Sequence, residues 1–493
     1  MQMTRSLHYI RLLMSPGTIH YSLNAPVRHQ NTPTIPTIPY HERQLNVIIM
    51  LADPTITALG FDPDHRSCIL NGTAFQQDAI TTFGGWQYAC YYASLSHVSA
   101  DPLYVHLARR RLPIGTWETL IFRDYEQIVD DGHNTVQLGI CPGDGTIHIS
   151  YDHHCDRLRY RYSLVKIAIC PEEFEWDAKY FSSTVDSLPG LSEPHGLLEY
   201  ISYPRFGPLE RDLWFSFRTG KAGLGDELLC VYTAVAGTWT LRGTVLKGIQ
   251  NSPYVHGLEY RNSRLFVTWV YRAFVWYEGW DDIYDVKHKQ QRGPNAATNN
   301  HDICFAYSDD DGIMWKNGGN EQIADLSWGE SISPASPGIV AFNIPKNSGL
   351  SNQESQAVDH RGGIHVLNRD QMDGAQKWKH YYRSPDGQWA QRALPHVSGV
   401  YGGKRGCLAV SKDDDLYLIL PDNDALQLTI LRASRASGYA SYDIIWKGEK
   451  FPPTEPLVDR ARLDYDNILS VFTRASVDEN SDLKSVVVLD FHL

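Results

Sequence analysis

Side chains that can exchange protons or bind a carboxylate recur at several points of the chain. They are His133, the pair His153 and His154, the tyrosines Tyr203 and Tyr254, and the arginines Arg218, Arg272 and Arg383. An imidazole titrates near neutral pH, a phenol is a weak acid, and a guanidinium can pair with a carboxylate through two parallel hydrogen bonds. These residue types suit proton transfer beside a carboxylate group, provided that the fold brings them together.

Most of these residues lie where a predicted strand begins or ends. Runs rich in β-branched and aromatic residues predict strands at 146–154, 213–218, 264–271, 363–367 and 416–420. Within the first run, alternation places His148, Ser150, Asp152 and His154 on one face. The segment Tyr203-Pro204-Arg205-Phe206 begins a strand, whereas Arg218, Arg272 and Arg383 each follow an aromatic residue at a strand end.

A looser repeat organises these strands. Units of about 40 to 65 residues are typical of β-propeller blades, and seven such units begin near Phe83, His133, Tyr203, Tyr254, Gln356, Arg405 and Glu455. Two Asp-box-like turns, at 308–315 and 384–389, place an Asp, a Gly and a Trp where blades turn. The sequence therefore predicts an all-β chain with a single seven-bladed β-propeller over 57–493. A strand within 58–70 would complete the last blade, and residues 274–300 would be an insertion over one face.

The N-terminal segment and the charge balance narrow the possible partners. Residues 1–56, with the Pro/Thr-rich stretch 31–40, predict a disordered or extended leader. His8, Arg11 and Pro16 interrupt the only apolar cluster near the start, so no clear signal peptide is present. No apolar run approaches the about 20 residues that span a bilayer. The formal charge of 45 − 57 = −12 argues against nucleic-acid binding, and we expect a monomer without a membrane partner.

The sequence supports a disulfide or a metal site less strongly than it supports the acid/base and carboxylate-binding residues above. The eight cysteines occur singly, which argues against a zinc ribbon or a thioredoxin-type site. Cys141 and Cys155 flank a predicted strand and could approach each other. His288, His301 and Cys304 could supply metal ligands, although a closed tetrahedral site needs four. We expect no cofactor for the chemistry, while a structural metal ion stays open.

Several segments resemble a known group of enzymes. They are DGHNTVQLGICPGDGTIHISYDHH, ISYPRFGPLERDLWFSFRTGKAGLGDELL, NNHDICFAYSDDDG and EPLVDRARL. Over roughly residues 57–493 they look like the seven-bladed BNR-repeat polysaccharide lyases, which include ulvan lyases and L-rhamnose-α-1,4-D-glucuronate lyases. The resemblance implies β-elimination at O4 of a glucuronate in an acidic glycan such as gum arabic, arabinogalactan or ulvan. It also implies an extracellular location.

The resemblance assigns roles to individual residues. His133 matches the family's acid/base histidine, Tyr203 its tyrosine and Arg218 the arginine that neutralises the uronate carboxylate. His154 matches a second histidine, with His153 an ambiguity of one position, and Arg272 and Arg383 match further substrate arginines. Tyr254 joins this predicted substrate-binding set. The stretch from Tyr203 to Arg218 is about one residue shorter than is usual in the family, so its turn is expected to differ.

Two other functions remain open from the sequence. A sialidase-like hydrolase could use Arg218, Arg272 and Arg383 as an arginine triad with Tyr203 as the nucleophile, but His133 and His154 would then be unexplained. A non-catalytic propeller that binds acidic glycans would need no acid/base groups in one channel. The absence of a large basic surface favours an exo-acting lyase with a narrow pocket.

Overall fold

The computed structural model describes most of the chain beyond its N-terminal segment. The described residues are 50–63, 65–95, 100–192, 196–221, 224–278, 294–372, 374–395, 404–422, 427–449, 451, 454–475 and 484–493. Residues 1–49 of the predicted leader, most of the predicted insertion and His288 therefore lie outside the described residues.

Seven antiparallel sheets follow one another along the chain and form the blades of a propeller. The first strand, β1 (Thr55–Phe61), precedes blade 1, which consists of β2 (Ile80–Phe83), β3 (Trp86–Ala93), β4 (Leu103–Arg111) and β5 (Glu118–Gln127). Blade 2 consists of β6 (Val136–Ile140), β7 (Ile147–Tyr151) and β9 (Tyr160–Tyr162), and the short β8 (His154–Asp156) pairs with the next sheet. Blade 3 consists of β10 (Ile201–Leu209), β11 (Asp212–Thr219), β12 (Glu227–Thr233) and β13 (Thr238–Leu246).

The remaining blades follow the same antiparallel plan. Blade 4 consists of β14 (Asn251–Arg261), β15 (Arg264–Ala273), β16 (Asn300–Ser308), β17 (Met314–Lys316) and β18 (Gln322–Asp325), with β19 (Val340–Phe342) paired to β16. Blade 5 consists of β20 (Ser355–Val358), β21 (Ile364–Asp370), β22 (Lys377–Arg383) and β23 (Trp389–Ala393). Blade 6 consists of β24 (Cys407–Val410), β25 (Leu416–Asp422), β26 (Gln427–Ala433) and β27 (Asp443–Gly448).

The last blade closes the ring with a strand from the other end of the chain. Blade 7 consists of β28 (Leu457–Val458), β29 (Ile468–Ala475) and β30 (Ser485–His492), and β1 pairs antiparallel with β30 as its fourth strand. The prediction of seven blades with an N-terminal closing strand is confirmed. The closing strand starts at Thr55, a few residues before the predicted start, and Leu51 already donates its backbone N–H to Ile445.

Helical structure among the described residues is limited to short segments. The α-helix Arg460–Asp466 follows β28, and the 3-10 helices are Pro171–Glu173, Ala178–Tyr180, Ala297–Asn299, Leu326–Trp328 and Arg435–Ser437. Among the described residues, no helix is long and apolar enough to cross a membrane.

The Asp-box turns form as the sequence predicts. In the first, the Asp310 carboxylate accepts from the Ser308 hydroxyl at 2.7 Å and from the backbone N–H of Met314 at 2.8 Å. Gly312 has a φ of 85°, a left-handed conformation that glycine adopts readily. The Trp315 indole is fully buried and donates to the Gly312 carbonyl. Local hydrogen bonds and one buried indole thus stabilise the turn.

A buried carboxylate joins the last blade to the first. Asp459, at the N-terminus of the α-helix, accepts hydrogen bonds from the Thr82 backbone at 3.0 Å, from the Thr82 hydroxyl at 2.6 Å and from the Gln87 amide at 2.7 Å. It also caps the helix by accepting from the backbone N–H of Arg462 at 3.0 Å. Because Asp459 is fully buried, each of these donors would lose a hydrogen bond inside the protein if the carboxylate were removed.

We expect Asp459→Ala to lower the free energy of unfolding by about 3 kcal/mol, because several buried donors lose their partner. Thermal and urea unfolding of the full chain measure this change. Asp177→Ala is the matched control, since Asp177 also caps a short helix but is half-exposed, and we expect a loss of about 1 kcal/mol there. Equal losses in the two variants would contradict the role of Asp459 in closure.

Candidate functional site

Most of the residues proposed from the sequence gather where three consecutive inner strands begin. His133 precedes β6, Tyr203 lies near the start of β10, and Tyr254 lies near the start of β14. Arg218 and Arg272 reach the same end from neighbouring strands, because Ser202 pairs with Arg218 and Ser252 pairs with Arg272. Blades 2, 3 and 4 therefore present these side chains to one end of the central channel.

A carboxylate bridges the two histidines. The Asp131 Oδ1 atom lies 2.6 Å from Nδ1 of His133, and its Oδ2 atom lies 2.6 Å from Nδ1 of His154. The two imidazole rings stack with centroids 3.9 Å apart. Burial alone would raise the pKa of Asp131, but its hydrogen bonds to both histidines hold that pKa well below its usual range. With each Nδ1 turned to the carboxylate, Nε2 is the atom that each ring can direct elsewhere.

His154 occupies the site, and His153 does not. The His153 ring is buried and accepts the backbone N–H of Arg159 through Nε2 at 2.8 Å. Burial also lowers its pKa well below the ordinary value, which keeps the ring neutral. The one-position ambiguity between these two histidines is thereby resolved by geometry, and His153 supports the backbone beneath the site.

The predicted shared face from His148 to His154 is wrong beyond Tyr151. β7 ends at Tyr151, and Asp152 takes a left-handed φ of 65°, which breaks the alternation. His154 then belongs to β8, which pairs with blade 3. His148 lies elsewhere in the core, where its Nδ1 contacts the Tyr160 hydroxyl at 2.5 Å.

A β-bulge sets the direction of Tyr203. The register between β10 and β11 shifts between Ser202 and Arg205, and Tyr203 has a left-handed φ of 56°. Bulges of this kind re-aim a side chain and are common beside active sites. The Tyr203 ring lies 5.8 Å from the His133 ring and 5.3 Å from Phe75, which itself stacks on His133 at 4.5 Å. Burial raises the pKa of Tyr203, so its hydroxyl is protonated at neutral pH.

Two arginines flank a second tyrosine. The Arg218 guanidinium lies over the Tyr203 ring at 4.8 Å and over the Tyr254 ring at 5.1 Å. Arg272 also contacts Tyr254: its Nη1 donates to the Tyr254 hydroxyl at 3.2 Å, while its Nε donates to the Asn300 side-chain oxygen at 2.8 Å. Burial would raise the pKa of Tyr254, but the positive charges of Arg272 and Arg218 outweigh it and lower that pKa.

Arg218 has N–H donors that no described residue accepts. Its side chain is fully buried, and its Nε and Nη1 atoms have no hydrogen-bond partner among the described residues. Burial opposes its charge, but Tyr254 and Tyr203 outweigh burial and raise the pKa of Arg218, so it is permanently protonated. Burying a guanidinium with unpaired N–H groups costs free energy, and an anion that accepted these hydrogen bonds would remove that cost. The arrangement therefore suits a carboxylate ligand placed beside two histidines and a neutral phenol.

Comparison with known proteins places this chain in a family. The model of the BNR repeat-containing family matches residues 86–397, more than half of the chain. The chain belongs to the BNR repeat-containing family. Its similarity to individual members of known activity is lower and covers only part of their length.

Two curated relatives of this BNR-repeat protein are long-isoform ulvan lyases. The one from Pseudoalteromonas sp. (strain PLSV) is 26% identical over 283 residues, which is 50% of this chain and 26% of the relative. The one from Alteromonas sp. (strain LOR) is 25% identical over 280 residues, with the same shares covered. The chain thus spans about a quarter of the length of the curated relatives that it matches.

Two solved structures share the fold. The polysaccharide lyase Uly1 superposes with a TM-score of 0.66 at 18% identity, covering 90% of this chain and 99% of Uly1. An ulvan lyase of family PL25 superposes with a TM-score of 0.56 at 14% identity, covering 87% and 95% of the two chains. At these identities the likeness establishes the propeller fold of the BNR-repeat protein.

Arg383 does not join the cluster, which corrects its predicted placement. It ends β22, where it pairs with Ile364 and Trp389 at the opposite end of blade 5. Its guanidinium lies over Phe305 at 5.0 Å and donates to the Gly318 carbonyl at 3.2 Å. Arg383 thus supports the junction between blades 4 and 5 near the Asp-box turns.

Sequence reasoning missed several residues of the site. Asp131 stands two positions before His133, a spacing that could have indicated a carboxylate partner. Phe75 comes from the loop before blade 1, and Arg405 from blade 6 stacks on it at 4.6 Å. No local pattern around Phe75 marks it, because its contacts are with residues of blades 2, 3 and 6.

Metal and disulfide chemistry were also open from the sequence. Asp131, His133 and His154 present ligand atoms that all lie within 4.8 Å of one another, a set able to hold a divalent cation if the Nδ1 protons leave. His301 is hydrogen-bonded to Asp302 and Asn251, while Cys304 is fully buried. All eight cysteines are free, so Cys141 and Cys155 do not form the disulfide that their spacing left open.

Proposed function

We propose that this BNR-repeat protein is a polysaccharide lyase that cleaves at O4 of a glucuronate residue by β-elimination. The observation that carries the proposal is the buried Arg218, whose Nε and Nη1 atoms are unpaired, within one cluster with His133, His154 and Tyr203. A uronate offers the carboxylate that this guanidinium lacks, and the carbon that carries its C5 proton is bonded directly to that carboxylate. The ulvan-lyase relatives have an acidic polysaccharide as their named substrate, in agreement with this chemistry.

The reaction needs charge stabilisation before it needs a base. The C5–H proton is weakly acidic, and its removal places negative charge on the C6 carboxylate. A bidentate contact with Arg218 would offset the carboxylate charge and stabilise the developing dianion. Because Arg218 is already buried and oriented, little reorganisation is required when that charge appears.

Proton transfer is assigned to His133 and Tyr203. His133 removes the C5 proton through Nε2, and the C–H electron pair forms the C4–C5 double bond as the C4–O4 bond breaks. Tyr203, which burial keeps protonated, donates its proton to the departing O4. Asp131 orients both imidazoles and stabilises the charged form of the base.

His154, Arg272 and Tyr254 would bind the substrate around the reacting bond. Tyr254 has the lowered pKa of the two tyrosines because Arg272 and Arg218 lie beside it. It is therefore a second candidate for the base, in the same reaction, if the substrate places C5 nearer to its hydroxyl than to His133. Substitution of Tyr254 by phenylalanine separates the two assignments, since His133 would still act in that variant.

We propose L-rhamnose-α-1,4-D-glucuronate as the linkage that is cleaved, with gum arabic, arabinogalactan or ulvan as the polymer. The near-complete burial of Arg218, Tyr254 and Arg272 favours a short substrate end over an internal stretch of a long sulfated chain. We therefore propose exo-acting cleavage, extracellular action on such polymers and a monomeric enzyme. Size-exclusion chromatography and assay of the culture medium test the last two points.

The hydrolase alternative loses its main support from the structure. A sialidase-like site needs its three arginines around one carboxylate. Arg218 and Arg272 lie where the inner strands of blades 3 and 4 begin, whereas Arg383 lies at the other end of its own blade, blade 5. The seven blades also differ from the six that such hydrolases have. A glycan-binding module would not need the Asp131-bridged histidine pair.

The deciding experiment is incubation with gum arabic and with ulvan while ultraviolet absorbance is followed. A lyase gives a 4,5-unsaturated uronate, whose conjugated alkene absorbs, and mass spectrometry of the products shows no added water. Release of a saturated uronate would establish a hydrolase. Binding of either polymer without any product would establish a binding module.

We propose that the reaction needs no metal or other cofactor, because the chain itself supplies the charge stabilisation and both proton-transfer groups. After dialysis against a chelator, we expect the initial rate to stay within about twofold of the untreated enzyme, a change too small for a lost Lewis acid. A melting temperature measured on the same sample reports a structural ion separately. A rate that falls and is restored by one divalent cation would contradict the proposal.

A further inference from the structure

A second cavity lies in the central channel, beyond the candidate active site. Its volume is about 600 Å³, and residues of all seven inner strands line it, from Ile80 in blade 1 to Leu457 in blade 7. Ala74 and Gln77 line it on either side of Phe75 along the chain, whereas His133, Arg218 and the other side chains of the candidate active site do not. A cavity of this volume matches the usual size of small-molecule sites.

Arg205 lines this cavity, and one nitrogen of its charged guanidinium lacks a hydrogen-bond acceptor among the described residues. It follows Tyr203 in the segment singled out from the sequence, and it is 3% exposed. Its Nη2 donates to the Val255 carbonyl, while its Nη1 is buried and has no hydrogen-bond partner in the part of the chain that the structure describes. Burial lowers the pKa of Arg205 to about 10, which still leaves the guanidinium protonated at neutral pH.

The nearby carboxylates do not form an ion pair with Arg205. No carboxylate of the described residues lies within 4.0 Å of its nitrogens, whereas Arg460, also lining the cavity, reaches Glu259 at 3.5 Å. Asp78 lines the cavity too, and its Oδ2 accepts from the Phe206 backbone at 3.1 Å. Behind Arg205, Glu227 accepts from the Ser216 hydroxyl, and burial raises its pKa to about 7, so it is only partly charged.

The walls of the cavity add apolar and polar surface of a kind that suits a sugar ring. Phe206 and Trp214, both almost fully buried, are among the apolar residues that line it, and Gly207 lies against the Trp214 ring where a side chain would clash. Asp78 supplies carboxylate oxygens that can accept from hydroxyl groups, whereas the Gln356 amide already accepts from the Thr268 hydroxyl at 2.7 Å and donates to the Phe266 carbonyl at 3.4 Å. An inorganic anion would use the guanidinium but leave most of the cavity to water.

We propose that the channel binds a small organic monocarboxylate, of about the size of one uronic acid, with its carboxylate on Arg205. Such a ligand supplies the acceptor that Nη1 lacks and fills the apolar walls. The ligand could be a uronate released at the active site or another free carboxylate, since both present the same chemistry. The proposal does not depend on the lyase reaction, because none of its residues belongs to the candidate active site.

Calorimetric titration of the full chain with glucuronate tests this site. The Arg218→Ala variant is used as the background, so that the candidate active site does not contribute a carboxylate-binding heat. We expect one saturable binding event in Arg218→Ala, at least tenfold weaker after the further change Arg205→Met. The surface variant Arg157→Met, whose side chain is 59% exposed, is the matched control and should bind as tightly as the background.

Additional ligands identify the chemistry that is recognised. Glucose, which lacks the carboxylate, should not bind, and acetate should bind more weakly than glucuronate because it leaves the walls unfilled. Sulfate binding as tightly as glucuronate would replace the proposal by an inorganic anion site. If Arg205→Met does not fold, Arg205→Lys serves instead, and we expect at least tenfold weaker binding because an ammonium lacks the planar fork.

Three further results would overturn the proposal. They are no saturable binding of glucuronate to Arg218→Ala, binding that is unchanged by the substitutions at Arg205, and equal binding of glucose. The first would mean that water alone fills the channel. A failed elimination assay leaves this titration unaffected, so the two proposals can fail separately.

Discussion

Arg218→Ala should lower kcat for β-elimination by about 100-fold to 1,000-fold, the usual cost of losing one preorganised contact to a developing charge. The physical reason is that Arg218 is fully buried with two unpaired nitrogens, so the carboxylate contact strengthens as the carbanion forms. The measurement is the initial rate of ultraviolet absorbance over a range of substrate concentrations. Because the contact also exists in the ground state, KM should rise by a smaller factor.

Two further variants make the Arg218 result specific. Arg218→Lys should recover only part of the rate, since an ammonium keeps the charge but not the two-donor geometry. Arg383→Ala is the matched control: it removes another arginine that follows an aromatic residue at a strand end, but one that lies at the other end of its blade. A similar loss in Arg383→Ala and Arg218→Ala would contradict the placement of the carboxylate at Arg218.

His133→Ala should lower kcat by about 100-fold to 10,000-fold, the range for loss of a general acid or base. We expect KM to change little, because the imidazole moves a proton and contributes little to binding the sugar. The control is His360→Ala. His360 is a partly exposed histidine that contacts Asp414 through Nδ1 at 2.8 Å, a geometry close to that of His133 and Asp131. Full activity of His133→Ala would contradict its assignment as the base and would leave Tyr254 as the candidate.

The orienting carboxylate can be tested in the same assay. Asp131→Asn offers one acceptor oxygen where two Nδ1–H groups now donate, so one imidazole loses its orientation. We expect kcat to fall by about tenfold to 100-fold, with Asp131→Glu recovering part of it. A fall in the melting temperature without any change in kcat would show that Asp131 has a purely structural role.

The sequence by itself determined the repeating architecture of this protein. Strand alternation, Asp-box turns and blade-sized spacing are local properties, since each depends on residues within one or two strands. The predicted unit starts near Phe83, Tyr203, Tyr254 and Gln356 accordingly fall within or beside observed inner strands. The closing strand was also predictable, because the last unit is too short to form a blade alone.

The membership of the site was decided by tertiary structure. In an antiparallel blade, the second and third strands end at opposite edges, so the same pattern of an aromatic residue followed by arginine has two outcomes. Arg218 and Arg272 end second strands and reach the site, while Arg383 ends a third strand and does not.

Backbone geometry made the remaining choices. The left-handed residue Asp152 breaks a strand that alternation alone would continue, and it gives the site His154 in place of His153. Phe75 joins the site through contacts with residues of other parts of the ring, among them His133 and Tyr203. Such contacts depend on how the ring of blades closes, which no pattern within a single blade encodes.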